Sequence, residues 1–122
     1  YQDGQNLYYA GIRQDGTSVI KKKYKGSYTT LASQRVFPGT YNKETNPNLI
    51  PEDTWMNLKS AVTNQSDGSV KIDLYLDKVN NGTWTKIASA VDKSSVVKGP
   101  AYAGIRTDYM DVLFDDYVFK SL

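Results

Sequence analysis

Turn chemistry is what most restricts this chain. Asp15-Gly16, Gly26-Ser27, Asp67-Gly68 and Asn81-Gly82 punctuate it at short intervals. Each dipeptide supplies the positive φ angles that tight β-hairpin turns need. Between them, residues alternate apolar and polar instead of repeating every three or four positions. No stretch carries a convincing helical period, and Pro100 bars a helix across the polar run from Asp92 to Gly99. Short strands joined by local turns pair mainly antiparallel. The expected fold class is therefore all-β, an antiparallel β-sandwich, with residues 1–122 forming a single domain.

Leu7 to Arg13 reads as the first strand. A two-residue type I′ turn at Asp15-Gly16 would set Ile12 opposite Val19 and Gly11 opposite Ile20 on a second strand, Thr17 to Tyr24. Gly26, in the first central position of a type II′ turn, then sends the chain back through Tyr28 to Phe37. Lys21, Lys22, Lys23 and Lys25 fall on both faces of the middle strand, which suits a solvated or edge-protecting role better than a nucleic-acid patch. Pro38 to Asp53 is a long Gly-, Pro- and Asn-rich loop, a candidate rim for a site around Tyr41 and Asn42. Trp55 to Thr63, Val70 to Leu76 and Trp84 to Ala88 read as further strands. In the second of these, Val70, Ile72, Leu74 and Leu76 point inward. Trp55 and Trp84 each open a strand after a turn and are expected to cover the sandwich end.

Within this punctuation one heptad occurs twice. Tyr9-Ala10-Gly11-Ile12-Arg13-Gln14-Asp15 returns as Tyr102-Ala103-Gly104-Ile105-Arg106-Thr107-Asp108, with only Gln14 and Thr107 differing. In an extended strand Ala and Ile take one side, and Tyr, Gly and Arg take the other. Both copies are expected as strands of one sheet, with the Tyr/Gly/Arg side as a binding surface. The purely structural counterpart is a Tyr packed over its neighbouring Gly and an Arg paired with a carboxylate. Val112 to Leu122 reads as a last strand, interrupted by a β-bulge at Asp115-Asp116.

The absence of Cys and His removes disulfides, thiolate or imidazole metal sites and histidine-based catalytic triads. Fifteen basic against thirteen acidic residues leave a net charge of +2, too balanced to suggest a nucleic-acid partner. Ten tyrosines against three phenylalanines favour a recognition surface, because amphipathic rings tolerate exposure. Pyranose C–H faces stack on such rings while planar Arg, Asn and Asp groups bind hydroxyls, so Tyr9, Arg13, Tyr24, Tyr102, Arg106 and Tyr109 are the candidate ligand-binding residues. An acidic sugar would suit the arginines best. No cofactor is required. Calcium is the one metal worth considering, with Asp108, Asp111, Asp115 and Asp116 as its candidate ligands, although EF-hand spacing is absent. Asn64-Gln65-Ser66 and Asn81-Gly82-Thr83 fit the glycosylation acceptor pattern. No run is apolar enough to insert in a bilayer, and no signal peptide is recognisable. The chain opens at Tyr1 without an initiator Met and soon enters a strand, as expected of a piece of something longer.

Leu7-Tyr8-Tyr9-Ala10-Gly11-Ile12-Arg13, Trp55-x-x-Leu58-Lys59, Val70-x-Ile72-x-Leu74-Tyr75-Leu76-Asp77 and Gly104-Ile105-Arg106 followed by Phe114-Asp115-Asp116-Tyr117-Val118 together resemble the concanavalin A-like lectin/glucanase superfamily. The resemblance covers most of the chain and implies a laminin-G-like jelly roll without its N-terminal strands. It further implies a lectin-like, non-catalytic carbohydrate-binding module, extracellular or at a cell surface, whose partner is a glycan or polysaccharide. A polysaccharide lyase or glycoside hydrolase of the same fold is the catalytic alternative, and a structural or adhesion module binding protein is the third. The family's glucanases carry Glu-x-Asp-x-(x)-Glu on one strand. Here the only glutamates are Glu44 and Glu52, both in the long loop. Lyases of the fold use a Tyr with a His, Asn or Gln and a nearby Arg, and this chain has no His.

Overall fold

Six strands form along the alternating runs: β1 (Leu7–Ile12), β2 (Thr17–Tyr24), β3 (Ser27–Arg35), β4 (Asn57–Asn64), β5 (Val70–Asp77) and β6 (Thr85–Asp92). They belong to a computed structural model that describes residues 1–121. Two antiparallel three-stranded sheets, ordered β1-β2-β3 and β4-β5-β6, make an all-β sandwich. The sheets meet where β2 and β3 lie against β6. Alternation on β5 buries Val70, Ile72, Leu74 and Leu76 against Ile20, Ile87, Ala88 and Ala90, and the flanks of the long loop add Phe37 and Ile50.

The first hairpin turn is one residue longer than its dipeptide implies. Arg13 N donates to Thr17 O at 2.8 Å, Gly16 N donates to Arg13 O at 2.9 Å, and Gly16 takes a φ of +80°. The Asp15 carboxylate accepts from the Thr17 N–H at 3.0 Å and from the Thr17 hydroxyl, which draws the loop closed around the glycine. Gln65 to Ser69 repeats the device, with Gly68 at φ +82° and Asp67 accepting from Ser69 N at 2.9 Å. The hydroxyl residue after Asp-Gly thus selects a three-residue loop ending in a left-handed glycine over the two-residue type I′ turn.

That extra residue resets the register. Ile12 faces Ser18 and Gly11 faces Val19, in place of the expected Ile12–Val19 and Gly11–Ile20 pairs. A slip of one residue exchanges the faces of a strand. Ser18, Ile20, Lys22 and Tyr24 therefore join Tyr8, Ala10 and Ile12 on the inner face, and Lys21 and Lys23 go outward with Tyr9. The second turn also differs. Its central residues are Lys25 (φ +48°) and Gly26 (φ +85°), a type I′ turn between Tyr24 and Ser27, with Lys25 N held by Asn6 Oδ1 at 3.0 Å.

Two β-bulges lie on the strands that face each other. Leu31 is unpaired in β3 and Ile87 is unpaired in β6. The second bulge lets consecutive Ile87 and Ala88 both be buried, while the Ile87 carbonyl accepts from Ser18 Oγ at 2.8 Å across the sandwich. The Asn81-Gly82 signal sits in a longer connection, residues 78–84, gathered around the Asp77 carboxylate. That carboxylate accepts from Gly82 N at 2.8 Å, from Asn81 N and Val79 N at 3.3 Å each, and from Asn57 Nδ2 at 3.1 Å.

The second heptad and the tail are not strands. Gly99, at φ +100°, precedes Pro100, and residues 101–121 then run without ladder pairing. The second heptad's backbone links are a reciprocal pair with Tyr1: Tyr102 N donates to Tyr1 O at 2.8 Å, and the Tyr1 ammonium donates to Tyr102 O. Near-identical local sequence fails to give the same structure because a strand needs a neighbouring edge along its length, and beyond the one pairing of Tyr102 with Tyr1 this segment has none. The expected bulge at Asp115-Asp116 survives only as a kink, with Asp116 at φ +53° and its N–H on Asp115 Oδ1 at 2.8 Å. Leu122, the end of the expected last strand, lies outside the described residues. Leu58 and Val62, on the inner face of β4, stay exposed.

Candidate functional site

The outer face of the first sheet collects the groups that the repeated heptad carries. Tyr9, on β1, lays its ring over Gly11, where an added Cβ would stand 3.3 Å from the phenol oxygen. The bare backbone at Gly11 therefore makes room for the ring. Arg106 reaches this face from the second copy, with its guanidinium carbon 5.7 Å from the Tyr9 ring centroid. Its Nη1 donates to the Tyr28 hydroxyl, on β3, at 3.0 Å.

Asp108 holds the guanidinium from the other side, through Nε at 3.2 Å and Nη2 at 2.7 Å. That two-point pairing fixes the plane of the guanidinium, although both partners are about half exposed and screening keeps the pair weak as a stabilising contact. The hydrogen bond from Arg106 holds the Tyr28 phenol below its ordinary pKa range. Lys23 lies 5.2 Å from the centroid of the Tyr28 ring and donates to Gly4 O at 2.7 Å. Tyr102 stacks at a tilt on Tyr1, with centroids 5.9 Å apart, and Gly104 lies against the edge of that Tyr1 ring. The face thus presents phenol rings, one planar cation with an anion beside it, and Lys21 and Lys23 of β2. Such a set can stack on a sugar ring and pair with a carboxylate or hydroxyl.

Of the six expected ligand-binding residues, Tyr9 and Arg106 meet here, while Tyr102 stacks on Tyr1. Arg13 turns to Asp15, 3.7 Å away, at the hairpin end. Tyr109 is 97% exposed and touches the sheet only through its carbonyl, which accepts from Gln14 Nε2 at 2.9 Å. Tyr24 is on the inner face of β2, on the same side as Lys22, and belongs to a different site. Tyr28, which holds Arg106 on this face, and Tyr1, which stacks on Tyr102, follow no sequence motif. Only the β2–β3 register, with Tyr28 opposite Lys23, brings Tyr28 to it. Both structural counterparts weighed for the heptad also occur: the ring covers its glycine, and each arginine has an aspartate.

The rim expected around Tyr41 and Asn42 is built differently. Asn42 spends its side chain on its own loop, accepting from Glu44 N at 2.9 Å and Thr45 N at 3.0 Å. Asp108, Asp111, Asp115 and Asp116 are not gathered, and no group of three or more possible metal ligands occurs among the described residues. Asp108 faces Arg106, and the unpaired tail strings the others out along its length. Trp55 and Trp84 are exposed and cap no core. Trp84 instead forms an outer patch on the second sheet with Lys59, whose Nζ lies 4.4 Å from the Trp84 ring and 4.7 Å from the Tyr75 ring.

The lysines of β2 do split between faces, but Lys22 is neither solvated nor at an edge, since β2 is the central strand. The residue is 6% exposed, and its ammonium meets Asp92 Oδ1, on β6, at 2.8 Å and the Ser94 carbonyl. Tyr8 donates to the other Asp92 oxygen at 2.6 Å and accepts from Val97 N at 3.1 Å. Burial by itself would push the Asp92 carboxyl up, but the hydrogen bonds from Lys22 and Tyr8 outweigh it and hold the carboxyl below its usual range. Burial, reinforced by the bond to Asp92, raises the Tyr8 phenol well above its ordinary value. No helix among the described residues is long and apolar enough to cross a membrane. Compared with protein-family models, curated proteins and solved structures, the chain matches none.

Proposed function

We propose that this protein is a non-catalytic glycan-binding module of concanavalin A-like jelly-roll type, secreted or displayed on a cell surface, that reads an acidic polysaccharide on the outer face of its first sheet. The observation that carries this reading is the seat of Arg106, which lies over the Tyr9 ring and donates to Tyr28. It ties two tyrosines of this face to one cation. Lys21 and Lys23 extend the positive character along β2. A uronate carboxylate would compete with Asp108 for the planar guanidinium that Tyr9 seats, and the C–H face of the ring would lie on Tyr102.

A glycan array at moderate salt, run with the parent and with Tyr9→Ala and Tyr102→Ala, tests the proposal. Retention of uronate-bearing glycans by the parent, and loss in both variants, is expected. An array without acidic-glycan signal, or with signal untouched by both substitutions, rejects it. One observation favours a second reading, a polysaccharide lyase, because the lowered Tyr28 phenol beside Arg106 pairs a proton acceptor with a carboxylate-neutralising cation. Growth of unsaturated-uronate absorbance in a polyuronate solution would establish that activity.

A further inference from the structure

On the opposite, inner side of the first sheet, the Lys22–Asp92 pair opens into a cavity of about 290 Å³ at the end of the sandwich. Its walls carry Tyr24 from β2, Ser27 and Thr29 from the start of β3, and Ser94 and Ser95 after β6. A buried ion pair is a poor choice for a simple clamp between sheets, since apolar residues of similar volume hold two surfaces together at least as well. Here the pair has unused capacity. An ammonium has three N–H donors, and Lys22 directs two of them at Asp92 and the Ser94 carbonyl. A carboxylate offers about four lone-pair sites, and Lys22, Tyr8 and the Ser94 backbone N–H take three of those on Asp92.

We infer that this cavity is a binding site for a vicinal diol, the paired hydroxyls of a sugar ring or polyol. One hydroxyl oxygen accepts the third N–H of Lys22, and its neighbour donates to Asp92. The charges of Lys22 and Asp92 cancel, so a neutral hydroxyl pair fits better than an anion. The hydroxyls of Ser27, Thr29, Ser94 and Ser95 match further hydroxyls of the ligand, while the Tyr24 ring and Leu31 supply apolar surface for its C–H groups. None of these residues belongs to the outer aromatic face, so the site stands whether or not that face binds an acidic glycan.

The test is an amide NMR titration of the intact chain with methyl β-glucoside, methyl β-galactoside and methyl α-mannoside, and separately with sorbitol. Saturable millimolar shifts at Tyr24, Ser94 and Ser95 are expected, from the glycosides if the source is a sugar ring and from sorbitol if it is an open-chain polyol. Thr29 sits opposite Lys22 on exposed β3, so Thr29→Trp fills the cavity without touching the ion pair. It is expected to weaken binding at least about tenfold while leaving the melting temperature and fold unchanged. Tyr9→Ala and Arg106→Gln, on the other face, should leave these shifts as they are. An absence of saturable shifts with all four compounds overturns the inference, as does equal binding by Thr29→Trp.

Discussion

Replacing Lys22 by methionine removes the cation and leaves Asp92 facing it almost fully buried, at 3% exposure. Removing one partner of a buried pair costs about 3–5 kcal/mol, because the other charge stays desolvated and short of a counterion. Unfolding entropy is about 2.1 cal/mol/K per residue near 60 °C. Over 122 residues that is about 0.26 kcal/mol/K, so a loss of about 4 kcal/mol lowers the melting temperature by about 15 °C. The pH response carries a definite sign. The folded Asp92 carboxyl lies below its unfolded value, so its contribution is present above the unfolded pKa and is lost as pH falls through the folded one. Without Lys22 the folded value rises, and acid unfolding of Lys22→Met begins nearer neutrality than in the parent. Thermal melts and acid titrations by circular dichroism read both effects. The companion Lys22→Met/Asp92→Leu, which leaves no orphaned charge, should recover most of the loss. A single variant within about 1 kcal/mol of the parent, well under the buried-pair cost, would refute the reasoning. So would a double variant as unstable as the single one.

Three further outcomes are expected. Gly16→Ala should destabilise the first hairpin by about 1 kcal/mol or more, since its φ is +80° and a Cβ would stand 2.6 Å from the Phe37 carbonyl oxygen; chemical denaturation checks this. Asp77→Ala should abolish hydrogen-exchange protection at Val79, Asn81 and Gly82, whose amides it holds, while leaving β2 amides protected. Val62→Thr, on the uncovered inner face of β4, should change stability by no more than about 0.5 kcal/mol. The same substitution at buried Val70 should cost well over that, and paired melts compare the two.

Much of the fold is legible in the sequence because turn residues and alternation act locally. The Val70–Leu76 run gives both β5 and its buried face, and the three-stranded meander follows from its two glycine turns. What alternation alone leaves open is register. Whether Val19 or Ser18 opposes Ile12 depends on Thr17 closing the Asp15-Gly16 loop against Arg13 in place of Gln14, and with it goes the inward turn of Lys22 and Tyr24. The bulges at Leu31 and Ile87 arise where the two sheets press together, which no local pattern encodes. The second heptad is the clearest case of context over sequence: Tyr9 lies in a continuous ladder with β2, whereas Tyr102 pairs with Tyr1 alone and the pairing goes no further. The meeting of Arg106 with Tyr9 was legible as a shared surface, and its route, across the face instead of along a neighbouring strand, was not.

The most direct measurement follows the side-chain Nε–H resonance of Arg106 during titration with oligogalacturonate and, in parallel, with a neutral β-glucan oligomer. If the outer face reads acidic glycan, that resonance moves saturably with the uronate and not with the neutral sugar, and Tyr9→Ala weakens the response. An Arg106 signal that stays still while oligogalacturonate is added, or that moves equally with the neutral oligomer, contradicts the account.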